Sequence, residues 1–276
     1  MTIPRACVVG WPAKHSRSPM IHRYWLRQYD VSGDYGIEEV PPEAFPGFLS
    51  TLDERGYVGC NVTVPHKEAA LRCADIASDT AKAVGAANTL WLENGRLCAD
   101  NTDVEGFLAS LDTAAPGWDA GSGHAVVLGA GGAARGIVWG LSQRGRRVEV
   151  VNRNQDRARA LTGIGSEIHA HGWDALPDLL SGAALVANTT SLGMQGEPDL
   201  TVDLTALPVT ACVADIVYVP LKTTLLKTAE QRGNPTADGL GMLLHQAVAG
   251  FARWFGVRPA VTPELRAVVA ADIEGE

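Results

Sequence analysis

The octapeptide Gly129-Ala130-Gly131-Gly132-Ala133-Ala134-Arg135-Gly136 follows an apolar run at 125–128 and precedes a second one at 147–151, which ends in Asn152-Arg153. Each part of this stretch has its own physical task at a bound dinucleotide. Gly129 permits a tight turn out of the first strand, and Gly131 lets backbone N–H groups reach a pyrophosphate. Ala134 stands where the fingerprint takes Gly or Ala, at the start of a helix whose N-terminus favours anions. About 20 residues further on, an NAD site carries Asp or Glu for the ribose 2′-hydroxyl. Here Asn152 and Arg153 occupy that place, with Arg157 one turn later, and guanidinium groups suit a 2′-phosphate. These residues favour NADP over NAD. A purely structural glycine turn is the competing reading, and it does not explain why strand, glycines, helix and second strand occur in order.

From 125 onward, strands near 125–128, 147–151, 185–188 and 212–217 alternate with helical stretches, the pattern of a doubly wound parallel sheet. Ahead of the glycine loop lies a second α/β layer of about 100 residues. It reads as a strand at 6–9, a helix from Ser18-Pro19 to about 29, a strand at 35–40, a helix at 42–55, a strand at 59–64 and a helix at 68–77. A hairpin of 87–92 and 97–101 turns at Glu93-Asn94-Gly95, and a helix at 104–114 leads into a Gly-rich loop. The stretch 239–255 has apolar residues at helical spacing and is expected to pack back on the first layer.

The 276 residues fit two domains of ordinary size or one large one, and 46% hydrophobic residues suffice for packed cores. A net charge of −8 argues against nucleic acid or an anionic membrane as a general partner. The five cysteines are scattered without CxxC spacing, so neither a disulfide frame nor a zinc site is expected. His169 and His171 form an HxH in a stretch rich in turn residues, and no metal is expected. Trp11, Trp25, Trp139 and Trp254 read as packing residues. No signal-peptide h-region and no stretch of ~20 apolar residues occurs, so the expected location is the cytoplasm. A monomer and a homodimer are equally compatible with the sequence.

Several polar groups stand where packing alone does not require them. Ser16 and Ser18 flank Arg17 just before a helix; Ser18 is either a plain N-cap, or both hydroxyls join the helix N-terminus in holding a carboxylate. In Asn61-Val62-Thr63-Val64-Pro65-His66-Lys67, alternation sets Asn61 and Thr63 opposite the valines at a strand's carboxyl end, where ligands of α/β layers sit. Lys67 is either a solvated residue opening a helix, which the helix dipole disfavours, or a functional cation. Asn88-Thr89 and Asn101-Thr102-Asp103 supply further donors and acceptors. Asp103 is either the cap of a helix beginning at Val104 or the partner of Lys67 in proton transfer, favouring its ammonium form.

The chain resembles the shikimate dehydrogenases along nearly its whole length. The resemblance rests on HSRSP (15–19), NVTVPHKE (61–68), GAANTL (85–90), NTD (101–103), GAGGAARG (129–136), NR (152–153), DIVYVPLKTTLL (215–226) and DGLGMLLHQA (238–247). It implies an α/β substrate-binding domain over 1–103, completed by 240–276, and a Rossmann-like NADP-binding domain over 104–239. It further implies reversible reduction of 3-dehydroshikimate to shikimate with NADPH. Ser16 and Ser18, helped by Tyr218, would bind the carboxylate; Thr63, Asn88, Asp103 and Gln246 would surround the ring hydroxyls; Lys67 would be the acid–base group. The cofactor would meet Gly129, Ala130, Gly131, Gly132 and Ala133, then Asn152, Arg153, Asn154 and Arg157, with Ile216, Gly239 and Met242 near the nicotinamide. The chain departs from the family at Asn154, where Thr or Ser is common, and at Arg23, where Asn is usual. The alternatives are a quinate or dual quinate/shikimate dehydrogenase, possibly with NAD, and a non-catalytic ligand sensor, against which the pair Lys67 and Asp103 argues.

Overall fold

Short apolar runs separated by turn residues build the first half of the chain into β1 (Arg5–Gly10), α1 (Ser18–Gln28), β2 (Asp34–Glu39), α2 (Phe45–Ser50), β3 (Tyr57–Val62), α3 (Lys67–Cys73), β4 (Ile76–Ala77), α4 (Asp79–Val84), β5 (Thr89–Glu93) and β6 (Arg96–Asp100). The computed structural model describes residues 3–275. It divides into two compact units, one reaching to Thr102 and including Gln246–Val269, the other holding Asp103–His245 and the residues from Ala270.

The strands of the first unit lie in the order β2-β1-β3-β5-β6-β4. β1 is parallel to β2 and β3, while β3–β5 and β5–β6 pair antiparallel. Alternation along the strands sends Cys7, Val9, Cys60 and Val62 into one core with Phe45, Phe48, Leu49, Ala70 and Ala81 of the three short helices. The hairpin turns where expected, with Asn94 and Gly95 both at positive φ (52° and 74°), the conformation a two-residue I′ turn requires.

Three expectations are corrected. The helix read over 42–55 is only Phe45–Ser50; the Thr51 hydroxyl donates to Gly47 O (2.9 Å), a side-chain bond that competes with helix continuation. The helix read over 68–77 stops at Cys73. Beyond it Asp75 accepts from Leu97 N (2.7 Å), β4 adds an edge strand, and the unforeseen α4 is capped by Ser78, which accepts from Ala81 N (3.0 Å). The strand read to Val64 ends at Val62, because Thr63 to Pro65 turn toward α3.

The second unit contains α5 (Asp103–Ala114), β7 (His124–Leu128), α6 (Gly132–Gln143), β8 (Val148–Val151), α7 (Gln155–Arg159), β9 (Ile168–His171), α8 (Leu176–Leu180), β10 (Ala183–Asn188), β11 (Cys212–Asp215), α9 (Thr224–Arg232) and β12 (Thr236–Ala237), followed by α10 (Gly239–Phe255) and α11 (Pro263–Glu274). Its sheet is wholly parallel in the order β12-β11-β10-β7-β8-β9. Counted within the unit this is 3-2-1-4-5-6, the doubly wound dinucleotide-binding order. Its strands are apolar on both sides because both faces are covered. Ala125 and Val127 pack with Phe107, Leu111, Ile137 and Leu141, whereas Val126 and Leu128 pack with Leu176, Leu180, Leu225 and Leu226. β9 carries His169 and His171 in a strand rather than the expected turn, and β12 and α11 are likewise elements beyond those expected from the sequence.

The boundary between the units falls within α10, at Gln246. Beyond it the helix lies on the first unit's sheet. Trp254 Nε1 donates to Leu90 O (2.9 Å), and the Phe251 ring meets Trp25 at 5.4 Å between centroids. Trp25 and Trp254 are core residues as expected, but Trp11 is 48% exposed and is no packing residue. Arg23 forms a half-exposed ion pair with Asp34 (3.5 Å). Gly59 is where α10 comes nearest the sheet: a Cβ there would strike the Trp254 indole and the Leu90 carbonyl. Gly59→Ala is expected to cost about 1–3 kcal/mol through overpacking. An unchanged urea midpoint for that variant would show that the contact is slack.

Candidate functional site

Strand pairing places the carboxyl ends of β1, β3 and β6 and the amino end of β5 along one edge of the first unit's sheet. The polar residues singled out from the sequence leave the sheet at this edge. After β1 come Ser16 and Ser18, their hydroxyls 3.2 Å apart. Ser18 is not an N-cap: it is the first residue of α1, and its N–H donates to Ser16 Oγ (3.3 Å). After β3, Thr63 N donates to Val9 O, His66 N donates to Thr63 O, and Lys67 opens α3. Buried His66 makes a 2.7 Å bond from Nε2 to Val40 O and stacks on Phe45 at 4.3 Å, so the turn carrying Lys67 is pinned from behind. The loop before α1 is tied to this turn by Trp11 N donating to Val64 O (3.0 Å), and to β2 by Ala13 N donating to Glu39 Oε1 (3.0 Å).

Asn88 joins these pieces. It is 2% exposed. Its backbone N–H donates to Asp100 O (3.0 Å), and its carbonyl accepts from Val62 N (2.8 Å) and Asn61 Nδ2 (3.3 Å). Its side-chain oxygen accepts from Thr102 N (2.7 Å), Thr102 Oγ1 (3.1 Å) and Thr89 Oγ1 (3.1 Å). Its amide donates to Gln246 Oε1 (3.4 Å) on α10. Ala87 N donates to Lys67 O (2.9 Å), so the Lys67 backbone lies beside this hub, and Thr102 is followed directly by Asp103, the first residue of α5. The sequence reading noted Asn61 and Thr102 but missed Tyr35, whose hydroxyl donates to Asn61 Oδ1 (2.6 Å). Behind it His22 is fully buried and stacks on the Tyr35 ring (4.0 Å); burial drives its pKa down to about 3, which Asn61 offsets only in part.

The second unit forms a separate polar edge at the point where its strand order reverses, between β7 and β10. Gly129 has φ +107°, and a Cβ there would lie 2.8 Å from Thr189 Oγ1 and Thr190 Cγ2, so the protein itself demands glycine. Gly131 and Gly132 differ. A Cβ on either would meet nothing within 4 Å, and both are exposed at the start of α6. No neighbour in the protein requires them to be small. An open cradle at a helix N-terminus fits a pyrophosphate approaching from outside. Ala130 packs against the core, Ala133 is exposed, and Ala134 is fully buried under the sheet, as its fingerprint position requires.

At the end of β8, Asn152 Nδ2 donates to Asn154 O (2.8 Å), while Asn154 Oδ1 caps α7 by accepting from Asp156 N (3.0 Å) and Arg157 N (3.3 Å). Asn154 is thus a helix cap. The guanidinium groups of Arg153 and Arg157 are exposed and have no ion pair among the described residues. The sequence reading also missed the polar turn Asn188-Thr189-Thr190 at the end of β10 and its link to Asp215. The signal was present, since a polar triplet directly after an apolar strand is the pattern that exposed Asn61 and Thr63. Asp215 Oδ1 accepts from Asn188 Nδ2 (2.9 Å) and Val217 N (3.0 Å), and Oδ2 accepts from Thr223 Oγ1 (2.8 Å). These bonds fix the turn carrying Ile216 and Tyr218. Gly239 backs directly onto the Ile216 carbonyl, and Met242 packs against the core between sheet and α6. Among the described residues no group of three or more His, Cys, Asp or Glu is placed to hold a metal ion, and no helix is long and apolar enough to cross a membrane.

Residues 8–90 match the family model "Shikimate dehydrogenase substrate binding domain", and residues 239–268 match "Shikimate 5'-dehydrogenase C-terminal domain". A curated relative from Rhodopseudomonas palustris, "Shikimate dehydrogenase (NADP(+))", is 56% identical over 270 residues, covering 97% of this chain and 96% of its own. The crystal structure of shikimate 5-dehydrogenase from Thermus thermophilus in complex with NADP(H) and shikimate superposes with a TM-score of 0.87 at 34% identity, covering 98% of this chain and 100% of that one. Quinate dehydrogenase from Corynebacterium glutamicum in complex with NAD gives a TM-score of 0.89 at 28% identity, covering 98% and 99%.

The environment of Asp215 sets a pH dependence. Burial raises its pKa from 3.8 to about 6, although Val217 N, Thr223 and Asn188 donate to it. The folded state therefore holds a proton that the unfolded state releases from about pH 4 upward, and this contribution to stability is lost as pH rises through 6. Asp215→Asn keeps the Oδ1 acceptor and removes the charge. Its stability relative to the unchanged chain should improve by roughly 2–3 kcal/mol between about pH 4 and pH 7. Urea unfolding at both pH values measures this; an offset independent of pH would show that Asp215 is not charged at a cost.

Proposed function

The chain belongs to the shikimate dehydrogenase family, and on that footing we propose that it catalyses the reversible, NADPH-dependent reduction of 3-dehydroshikimate to shikimate. The observation that carries this reading is the polar edge of the first unit. Paired serine hydroxyls, Thr63, Lys67 and Asn88 follow or precede the ends of three strands there, joined by Gln246 of α10, with Asp103 directly after Thr102 at the end of a fourth. That unit is the substrate domain, and the unit bearing the open glycine cradle and two arginines without an ion pair among the described residues is the dinucleotide domain. Identity of 56% to a curated NADP-dependent shikimate dehydrogenase, against 28% to an NAD-bound quinate dehydrogenase, favours this substrate and cofactor over the quinate alternative. It is proposed to act in the cytoplasm, as a monomer or homodimer.

Ser16 and Ser18, with Tyr218, hold the substrate carboxylate, and Thr63, Asn88 and Gln246 take the ring hydroxyls. Asn88 Oδ1 is already saturated by Thr102 and Thr89, so its amide is the group turned to the ligand side. The bound reduced dinucleotide supplies the hydride. Lys67 donates the proton to the carbonyl oxygen, with Asp103 as its carboxylate partner. Ala130, Gly131, Gly132 and Ala133 present backbone N–H groups to the pyrophosphate, at the turn that Gly129 permits, its own N–H being given to Val151 O (2.9 Å). Asn152, Arg153 and Arg157, beside the Asn154 cap, receive the 2′-phosphate, while Ile216, Gly239 and Met242 face the nicotinamide.

Lys67→Met should lower kcat by at least ~10² with little change in KM for shikimate, since a positioned acid contributes ~10²–10⁴-fold. Steady-state rates test this, and near-normal kcat removes Lys67 from the role. Arg153→Ala should raise KM for NADPH roughly tenfold to a hundredfold while leaving NADH use unchanged, because a charge-assisted bond to the extra phosphate is lost. Equal damage with both cofactors would overturn the 2′-phosphate reading.

A further inference from the structure

Asn101 stands in the joint between β6 and α5. An asparagine at the start of a helix ordinarily caps it, its side-chain oxygen accepting backbone N–H groups. Here that oxygen is not so used: Asn101 is 4% exposed, and its Oδ1 is buried with no hydrogen-bond partner among the described residues. A buried acceptor left unpaired destabilises the fold, so asparagine is a poor choice here unless its amide nitrogen is needed. Nδ2 donates to Ala86 O (3.0 Å), in the link between α4 and β5. The Ala86 carbonyl and the Ala87 N–H belong to one planar peptide group. That N–H, on a residue with no exposed surface, donates to Lys67 O (2.9 Å) at the first residue of α3. Asn101 and Lys67 therefore hold opposite ends of a single rigid unit. Rotating that plane breaks both bonds, and donation to its carbonyl strengthens the bond that its N–H makes. The next residue, Asn88, is tied to Asp100 O through its own N–H (3.0 Å), so the link is fixed on that side as well.

We propose that Asn101 is a positioning residue for Lys67, an inference that rests on the reading of Lys67 as the acid. Through the Ala86–Ala87 peptide it sets where the lysine backbone stands, and hence where the lysine side chain arrives. It acts through Lys67 and not by touching substrate or cofactor. The neighbours of Asn101 cannot take over this task. A carbonyl oxygen is held only by a donor, and the Asp100 carboxylate is an acceptor, already used by Asn101 N (2.7 Å) and Ser78 Oγ. Thr102 is committed to Asn88 Oδ1, to which its N–H donates at 2.7 Å and its hydroxyl at 3.1 Å. Among residues 100–102, Asn101 is thus the one whose side chain grips the peptide that holds the lysine.

The test uses two substitutions in the full chain that both remove the donor but differ in volume. Asn101→Leu keeps the branching of the side chain and removes the orphaned oxygen, so its urea midpoint should stay near that of the unchanged chain. Asn101→Ala leaves a void and should unfold at lower urea. Both lose the bond to Ala86 O. Both should lower kcat for 3-dehydroshikimate reduction roughly ten- to hundredfold, with KM within about threefold, because misplacing a reacting group by about 1 Å costs on the order of 10²-fold. Activity should follow the donor, and stability the volume. In a Lys67→Met chain, Asn101→Leu should lower kcat no further, since nothing is left to position. The ratio of kcat in H₂O to kcat in D₂O should rise in Asn101→Leu, as the proton step slows. Normal kcat in both variants, or a loss of kcat only in the variant that loses stability, overturns the inference. So does an Asn101→Leu loss that persists undiminished beside Lys67→Met. If Lys67→Met alone keeps near-normal kcat, the reading of Lys67 as the acid fails, and the inference with it.

Discussion

The side-chain oxygen of Asn88 accepts three hydrogen bonds, from Thr102 N, Thr102 Oγ1 and Thr89 Oγ1, in a place with almost no access to water. The junction of β3, β5, β6 and α10 at the first unit's polar edge is built around this residue. Leaving any of those donors unpaired would cost about 1–3 kcal/mol each, so the geometry around Asn88 is stiff. Through its backbone the same residue joins β3 to β6, and through its amide it reaches α10. The ends of β3 and β6 and the middle of α10 are thus held in register by a residue between them.

The second unit solves a different problem. Its ligand edge is built from what is left out: side chains at Gly131 and Gly132, and a carboxylate at the end of β8. A carboxylate there would select a free ribose hydroxyl and repel a phosphate. The acid the chain does carry on β8, Glu149, lies three residues earlier, buried and paired on both oxygens. Asp215 is the counterpart on β11: a desolvated carboxylate that uses three donors to shape the turn bearing Ile216 and Tyr218. In both cases a carboxylate is taken from water, to hold two side chains at Glu149 and to hold a backbone turn at Asp215, at some cost in stability.

Much of this was legible beforehand wherever one residue type answers one local physical demand. The glycine turn, the Asn94-Gly95 hairpin and the proline-led start of α1 follow from backbone sterics that act within a few residues. The polar ends of β1, β3 and β6 were visible because alternation breaks there. Elements were missed where the local signal was short or contradictory. β4 and β12 have two residues each and exist only because a neighbouring strand offers hydrogen bonds. β9 carries two histidines in four residues, and its pairing with β8 overrides their weak strand preference.

The sequence by itself determined that the chain forms two α/β layers, that one of them presents a glycine-led helix to a dinucleotide, and which polar residues stand at strand ends. These follow from periodicity, sterics and the placing of breaks in apolar runs, all of which act along the chain. Only the tertiary structure decided that Asn88 would be saturated by Thr89, Thr102 and Gln246, that Gly129 answers to the protein while no described neighbour confines Gly131, and that Glu149 would face His171 across a strand pair. Those facts depend on which strands become neighbours and in what register. That choice is made by the summed burial of both sheet faces, which no local stretch of sequence contains.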